Sequence, residues 1–92
     1  MHELNKEKMM TVVLLDIMDT SLPRILSIRT KLDNGEVLSD LELDFIHVEL
    51  DKVTRFYRDF QEEDQCGVIY SHYSHMLSEV MRVALENERL KD

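Results

Sequence analysis

The sequence contains few residues that interrupt regular secondary structure, with two glycines and one proline among 92 residues. A turn-rich β protein would need more glycine and proline, and a disordered tail would hold fewer apolar residues than the 43% found here. A glycine-rich loop for phosphate binding is excluded, because Gly35 and Gly67 are the only glycines. The composition is typical of a single domain built from helices.

Cysteine is equally scarce, since Cys66 is the only one in the chain. An internal disulfide is therefore impossible, and there is no cysteine pair for zinc binding or thiol redox chemistry. Glu62, Glu63 and Asp64 precede Cys66 and disfavour the thiolate that a catalytic cysteine needs. We expect Cys66 to be a structural thiol in a cytoplasmic protein.

Basic residues and long apolar runs are also lacking. The 11 Lys and Arg residues are outnumbered by 19 Asp and Glu residues, and the net charge of −8 repels nucleic acid phosphates and anionic lipid headgroups. The longest largely apolar run, Met9 to Leu15, is far shorter than the roughly 20 residues that cross a bilayer. Glu3 and Glu7 before it, and the lack of a small-residue cleavage site after it, are unlike a signal peptide. We expect neither a nucleic acid nor a membrane as partner.

Apolar periodicity predicts helices instead. Pro23 has no backbone N–H and disfavours an α conformation at Leu22, so the first helix should be kinked or broken there, with Thr20 or Ser21 as a possible cap. Residues 11–15 could alternatively form a short strand. The predicted fold is all-α, a small up-and-down bundle of three long helices with the first kinked or broken near Pro23. Its four helical segments cover about residues 3–19, 22–32, 40–61 and 65–90.

The first segment has more apolar residues than one packed face requires. Its regular face consists of Met10, Val13, Leu14, Ile17 and Met18. Val12 and Leu15 lie off this face, which predicts burial on more than one side.

The boundary before the third segment has three independent signals. Gly35 can adopt the left-handed conformation that ends a helix. Ser39 and Glu42 have the spacing of a capping box, and Leu38 and Leu43 occupy the positions of a hydrophobic staple. For the last helix, the acidic residues before Cys66 predict a turn with Asp64 as the N-terminal cap.

The 40–61 helix has two apolar stripes. The first stripe is the face expected to pack in the core, and the second is separated from it by Glu42 and Glu49. A chain of this size does not easily cover both, so either each stripe meets a different neighbouring helix or the second meets another protein. The first stripe consists of Leu43, Ile46, Leu50, Val53, Tyr57 and Phe60, and the second of Leu41, Phe45, Val48 and Phe56.

The second stripe leads to the principal functional prediction. We expect a non-enzymatic module for protein–protein interaction or homodimerisation, with a second copy or another protein bound at Leu41, Phe45, Val48 and Phe56. No motif identifies a cofactor or a small-molecule ligand. The net negative charge supports an alternative, an antitoxin-like or regulatory partner of a basic protein.

A metal-binding bundle is the other alternative. His72 and His75 are three residues apart, and Glu79 follows four residues later, so the three project from neighbouring helical turns. His47 and Asp51 have the same i, i+4 relationship on the preceding helix. Histidines and carboxylates on facing helices are the ligands of metal sites in helical bundles, so these five residues are the candidate ligands.

Overall fold

A computed structural model describes the backbone of residues 2–91 and the side chains of residues 6–91. The described backbone contains helices and no strand, and three helical rods run up, down and up. The predicted all-α bundle is confirmed, and residues 11–15 are helical rather than a strand. The elements are α1 (His2–Asp16), a π-helical turn (Ile17–Ser21), α2 (Leu22–Asp33), α3 (Asp40–Phe60) and α4 (Cys66–Arg89).

The interruption near Pro23 takes the form of a π turn within a continuous helical path. The backbone N–H of Leu22 donates to the carbonyl of Ile17, five residues earlier. Pro23 directly follows this turn, and because it has no N–H it cannot donate a backbone hydrogen bond to the preceding turn. The predicted capping by Thr20 or Ser21 is wrong, because no new helix begins there and Ser21 makes no cap hydrogen bond.

The register of buried residues explains why this turn is wide. Ile17, Ser21 and Ile25 are all buried, although they are separated by two steps of four residues. On an α-helix each such step turns about 40° beyond a full turn, so two of them move a side chain by about 80°, toward the edge of the packed face. A π turn accommodates the extra residue because its hydrogen bonds join residues five apart. The apolar residues of α2 therefore still face the core.

The boundary before α3 forms as the sequence predicts. Gly35 has a φ of +81°, and its N–H donates to the Leu32 carbonyl at the end of α2. Both hydrogen bonds of the capping box are present, from Ser39 N to Glu42 Oε1 at 2.8 Å and from Glu42 N to Ser39 Oγ at 3.2 Å. Leu38 is buried in the core, and Leu43 packs against the same cluster.

The turn before α4 differs from the prediction. The N-terminal cap of α4 is Gln65, not Asp64, and Gln65 has a left-handed backbone with φ of 75°. Its side chain makes no cap hydrogen bond. The reversal from α3 to α4 is thus made by the backbone rather than by an acidic cap.

Buried apolar side chains form two clusters along the bundle. The small core, at the end where α3 turns into α4, contains Phe56, Phe60 and Cys66, with Met10, Val13, Leu14 and Ile69 packed against it. Burial, together with nearby Glu63, raises the pKa of the Cys66 thiol, as expected for a structural cysteine. The main core fills the rest of the bundle and consists of Ile17, Ile25, Ile28, Leu32, Leu38, Ile46, Val53, Tyr73, Leu77, Val80 and Ala84.

The first rod is longer than its neighbours. From His2 to Asp33 it extends about 48 Å at 1.5 Å per residue, whereas α3 extends about 32 Å. The molecule is 57 Å long and 19 Å by 17 Å in section, with a radius of gyration of 15.0 Å. A compact domain of this length would have a radius of gyration of about 12 Å. The start of α1 therefore projects beyond the turn between α3 and α4.

Candidate functional site

The two stripes of α3 are the flanks of one buried face. The buried line of α3 takes Ile46, Val53 and Phe60 from the first stripe and Phe56 from the second, with Glu49 between them. The first rod covers one flank, where the Arg24 guanidinium lies 4.2 Å from the centre of the Phe45 ring. α4 covers the other flank, where Tyr57 and Tyr70 pack with ring centres 4.5 Å apart. Two neighbouring helices thus cover most of both stripes within one chain.

The predicted interaction stripe is therefore not a continuous exposed surface. Phe56 is 3% exposed and belongs to the small core, so its assignment to an exposed stripe is wrong. Phe45 is half-buried and packs against the main core. Leu41 and Val48 are 75% and 58% exposed, but they are seven residues apart on α3. The second stripe is reduced to two separate side chains.

The predicted metal ligands do not form a cluster. His47, Asp51, His72 and His75 are exposed. Glu79 pairs with Arg82 at 3.1 Å, and the hydrogen bond from Arg82 lowers the pKa of Glu79. Among the residues that the structure describes, no three histidine, cysteine or acidic side chains are placed to hold a metal ion.

A buried polar group that the sequence did not predict lies at the centre of the bundle. Glu49 is 2% exposed, and the Tyr73 hydroxyl donates to its Oε1 at 2.7 Å. The Lys52 ammonium lies 2.9 Å from its Oε2 and 3.3 Å from Asp16 Oδ2. The same ammonium is 3.5 Å from the hydroxyl of Ser21 in the π turn. This polar network links α1, the π turn, α3 and α4.

The Glu49 carboxylate at the centre of this network is closed to solvent and has hydrogen-bonding partners. Both oxygens of Glu49 have partners, and no described buried side-chain polar atom lacks one. Burial, followed by the hydrogen bond to Glu49, raises the pKa of Tyr73 above its usual range. Burial alone would lower the pKa of Lys52, but its hydrogen bonds to Glu49 and Asp16 outweigh this and raise it. Each oxygen of Glu49 thus has a donor, as a carboxylate enclosed in a bundle requires.

One sequence signal could have identified Glu49 as buried. Glu49 follows Ile46 by three residues and precedes Val53 by four, which are the steps of a single helical face. The interpretation of Glu49 as a polar residue that separates the two stripes overlooked this spacing.

Several exposed apolar side chains follow one another along α1 and the π turn. Four apolar side chains within ten residues, Met9, Val12, Leu15 and Met18, are each between 52% and 65% exposed. Val12 and Leu15 were predicted to be buried against a second side of the helix, but within a single chain both are exposed. Met18, predicted for the core face, also points to solvent.

The outward face of α1 continues into the π turn, and Lys8, Val12, Leu15 and Asp19 define it as a single stripe of exposed side chains. These positions are separated by four, three and four residues, so they align along one side of the helix. The stripe lies opposite the residues of α1 that pack into the small core. Its centre is apolar, and its two ends carry opposite charges.

An apolar groove adjoins this face on the side of α4. It has a volume of about 370 Å³. Met18 links the groove to the outward face of α1, so the exposed apolar surface continues from α1 to α4. The groove is lined by Leu14, Ile17, Met18, Leu22, Val68, Ile69, His72, Tyr73 and Met76.

The chain exposes more surface than a compact monomer of its mass. Its accessible area is 6600 Å², whereas a monomeric protein of 10.9 kDa exposes about 5,600 Å². The difference is on the order of the 800 Å² that each partner buries in a standard protein–protein interface. An elongated molecule, 57 Å by 19 Å by 17 Å, has more surface than a compact one of equal mass.

No helix in the described part of the chain is long and apolar enough to cross a membrane. Comparisons with known protein families, with curated proteins and with solved structures give no match for this chain.

Proposed function

We propose that this protein is a non-enzymatic homodimerisation module that associates through the exposed apolar side chains of α1. The observation that carries the proposal is the exposure of Val12 and Leu15 on the outward face of α1, with Met9 and Met18 exposed at its two edges. Removing such side chains from water contributes roughly 1.5 to 3 kcal/mol for each fully buried residue, before the entropy lost on association. This supports a dimer of weak to moderate affinity.

The surface on α1 is a better candidate than the stripe on α3. Leu41 and Val48 are exposed, but Phe56 lies in the small core and Arg24 packs on Phe45. A productive interface needs a contiguous apolar centre that loses water on binding. The α1 surface has such a centre, and the groove beside Met18 extends it.

The buried polar network supports a structural rather than a catalytic role for its carboxylate. Glu49 is inaccessible to a substrate, and Tyr73 and Lys52 already satisfy its oxygens. The single buried thiol, Cys66, suits a reducing compartment, and we propose a cytoplasmic location.

Sedimentation equilibrium on the purified chain tests the proposal. The wild-type protein should show a reversible monomer–dimer equilibrium, and Val12→Asp with Leu15→Asp should make it monomeric without loss of helical content. The matched control, Leu41→Asp with Val48→Asp, introduces the same two charges on α3 and should leave the dimer intact. A monomeric wild type, or a dimer lost only in the control, would overturn the proposal.

The salt dependence distinguishes apolar association from binding of a basic partner. Each copy carries a net charge of −8, so added salt screens the repulsion between two copies and the dimer should persist. A complex held by charge with a basic protein would instead weaken steeply as salt rises.

A further inference from the structure

We infer that the two copies meet with their α1 helices antiparallel, so that Lys8 of each copy pairs with Asp19 of its partner. The twofold axis then passes between Val12 and Leu15. This inference rests on the proposed homodimer and specifies its geometry. Along the outward face of α1 the side chains are basic, apolar, apolar and acidic, and this order distinguishes the two possible orientations.

The residue spacing makes the face complementary to itself when one copy is reversed. With the axis midway between Val12 and Leu15, Val12 of one chain lies opposite Leu15 of the other. Lys8 is four residues before Val12 and Asp19 four residues after Leu15, so these charges meet at both ends of the contact. A parallel arrangement would bring Lys8 against Lys8 and Asp19 against Asp19, and like charges at an interface oppose binding.

Both charged side chains are available for a partner. Lys8 and Asp19 are exposed, and neither is among the ion pairs that the described side chains form. The neighbouring Asp16 differs, because it already pairs with Lys52.

The net charge of the chain makes such pairing useful. Two copies at −8 each repel one another as they approach, and an apolar contact alone does not select an orientation. Opposite charges at the two ends of the face offset part of this repulsion and disfavour the parallel alternative. The pairs thereby provide specificity in addition to the apolar contact.

Charge reversal tests the inference through the dimer dissociation constant. Lys8→Asp and Asp19→Lys should each raise the dissociation constant by roughly tenfold, because each change converts two attractive contacts per dimer into two repulsive ones. The double variant Lys8→Asp with Asp19→Lys keeps the net charge at −8 and should return to within about twofold of wild type. Asp51→Lys, on the exposed side of α3, is the control for Asp19→Lys and should not weaken the dimer.

The outcomes separate this inference from the proposed function. If both single reversals leave the dissociation constant unchanged while the Val12→Asp and Leu15→Asp variant is monomeric, the antiparallel pairing is wrong and the dimerisation surface stands. If the wild type is monomeric at all concentrations, both proposals fail.

Cysteine crosslinking measures the orientation directly. A mixture of Lys8→Cys and Asp19→Cys chains should form a disulfide-linked dimer on mild oxidation, whereas each variant alone should not. In the antiparallel dimer two copies of Lys8→Cys lie about 16 Å apart along the helix axis, and a disulfide needs Cα atoms within about 7 Å. Native Cys66 is buried and its pKa is raised, so it should not compete. Efficient crosslinking of either variant with itself would indicate a parallel dimer and overturn the inference.

Discussion

The two ends of the bundle differ in how completely they bury their apolar residues. Around the main core, α2, α3 and α4 surround one another, and Ile25, Ile46 and Leu77 are fully buried. Around the small core, Phe56, Phe60 and Cys66 are covered by α1, whose own contributing side chains remain half-buried. The main core is thus enclosed by its helices, whereas α1 covers the small core with one face and leaves Val12 and Leu15 exposed on the other.

The polar network lies where the two ends meet. Asp16 and Ser21 belong to the end of α1 and to the π turn, and they approach Lys52, which pairs with Glu49. Because Tyr73 on α4 also binds Glu49, the network fixes the register of the π turn against both α3 and α4. The register break in the first rod therefore coincides with a polar contact at Ser21 and with an apolar one at Ile17.

The largest expected effect compares matched leucines at the two ends. Leu77→Ala removes a fully buried side chain from the main core and should lower the free energy of unfolding by about 2 to 5 kcal/mol. Leu14→Ala, beside the small core, should lower the free energy of unfolding by only about 1 kcal/mol, because Leu14 is half-buried. Urea unfolding at concentrations where the protein is monomeric measures both. If the two variants lost the same unfolding free energy, the two ends would be packed equally well.

The next effect tests the network that joins the ends. Tyr73→Phe removes the hydroxyl that donates to Glu49 and leaves a buried carboxylate oxygen without that donor. We expect a loss of about 1 to 3 kcal/mol in the free energy of unfolding. Tyr57→Phe is the matched control on an exposed ring and should change stability by less than about 0.5 kcal/mol. A Tyr73→Phe variant as stable as the control would mean that the hydrogen bond is not required.

The smallest effect is a pH dependence at the start of α3, beside the main core. The hydrogen bond from Lys31, with the capping interactions of Ser39, lowers the pKa of Glu42 below its ordinary value of 4.5. The ionised carboxylate therefore stabilises the fold above about pH 4.5, and this contribution is lost as the pH falls through the lowered pKa. Unfolding free energies measured from pH 6 downward should fall less steeply in Glu42→Gln than in wild type. If the unfolding free energy fell equally steeply with pH in both proteins, Glu42 would not be the source of this pH dependence.

Local chemistry made several features predictable from the sequence. The start of α3 was predicted because Ser39 and Glu42 satisfy backbone groups of their own neighbours, and the end of α2 because Gly35 tolerates a left-handed backbone. The burial of Cys66 also agrees with its expected role as a structural thiol. The fold class followed from periodicity, since three apolar helices of this length pack as a bundle.

Features that depend on more than one helix were predicted less well. Phe56 was assigned to an exposed stripe because periodicity identifies an apolar face without showing how many neighbours cover it. Glu49 was interpreted as a separator although its spacing from Ile46 and Val53 is that of one helical face, and its partner Tyr73 could be recognised only once α4 had been placed against α3. The exposed side of α1 was similarly unexpected, because its overhang depends on where α3 ends relative to the first rod.

The sequence by itself determined the boundary between α2 and α3, because the capping box and the αL glycine act within about one or two turns of backbone. Only the tertiary structure decided that Glu49 is enclosed, that the π turn corrects the register before α2, and that Val12 and Leu15 stay exposed. These outcomes depend on contacts between residues distant in the chain, where burial and hydrogen bonding are set by the relative position of whole helices.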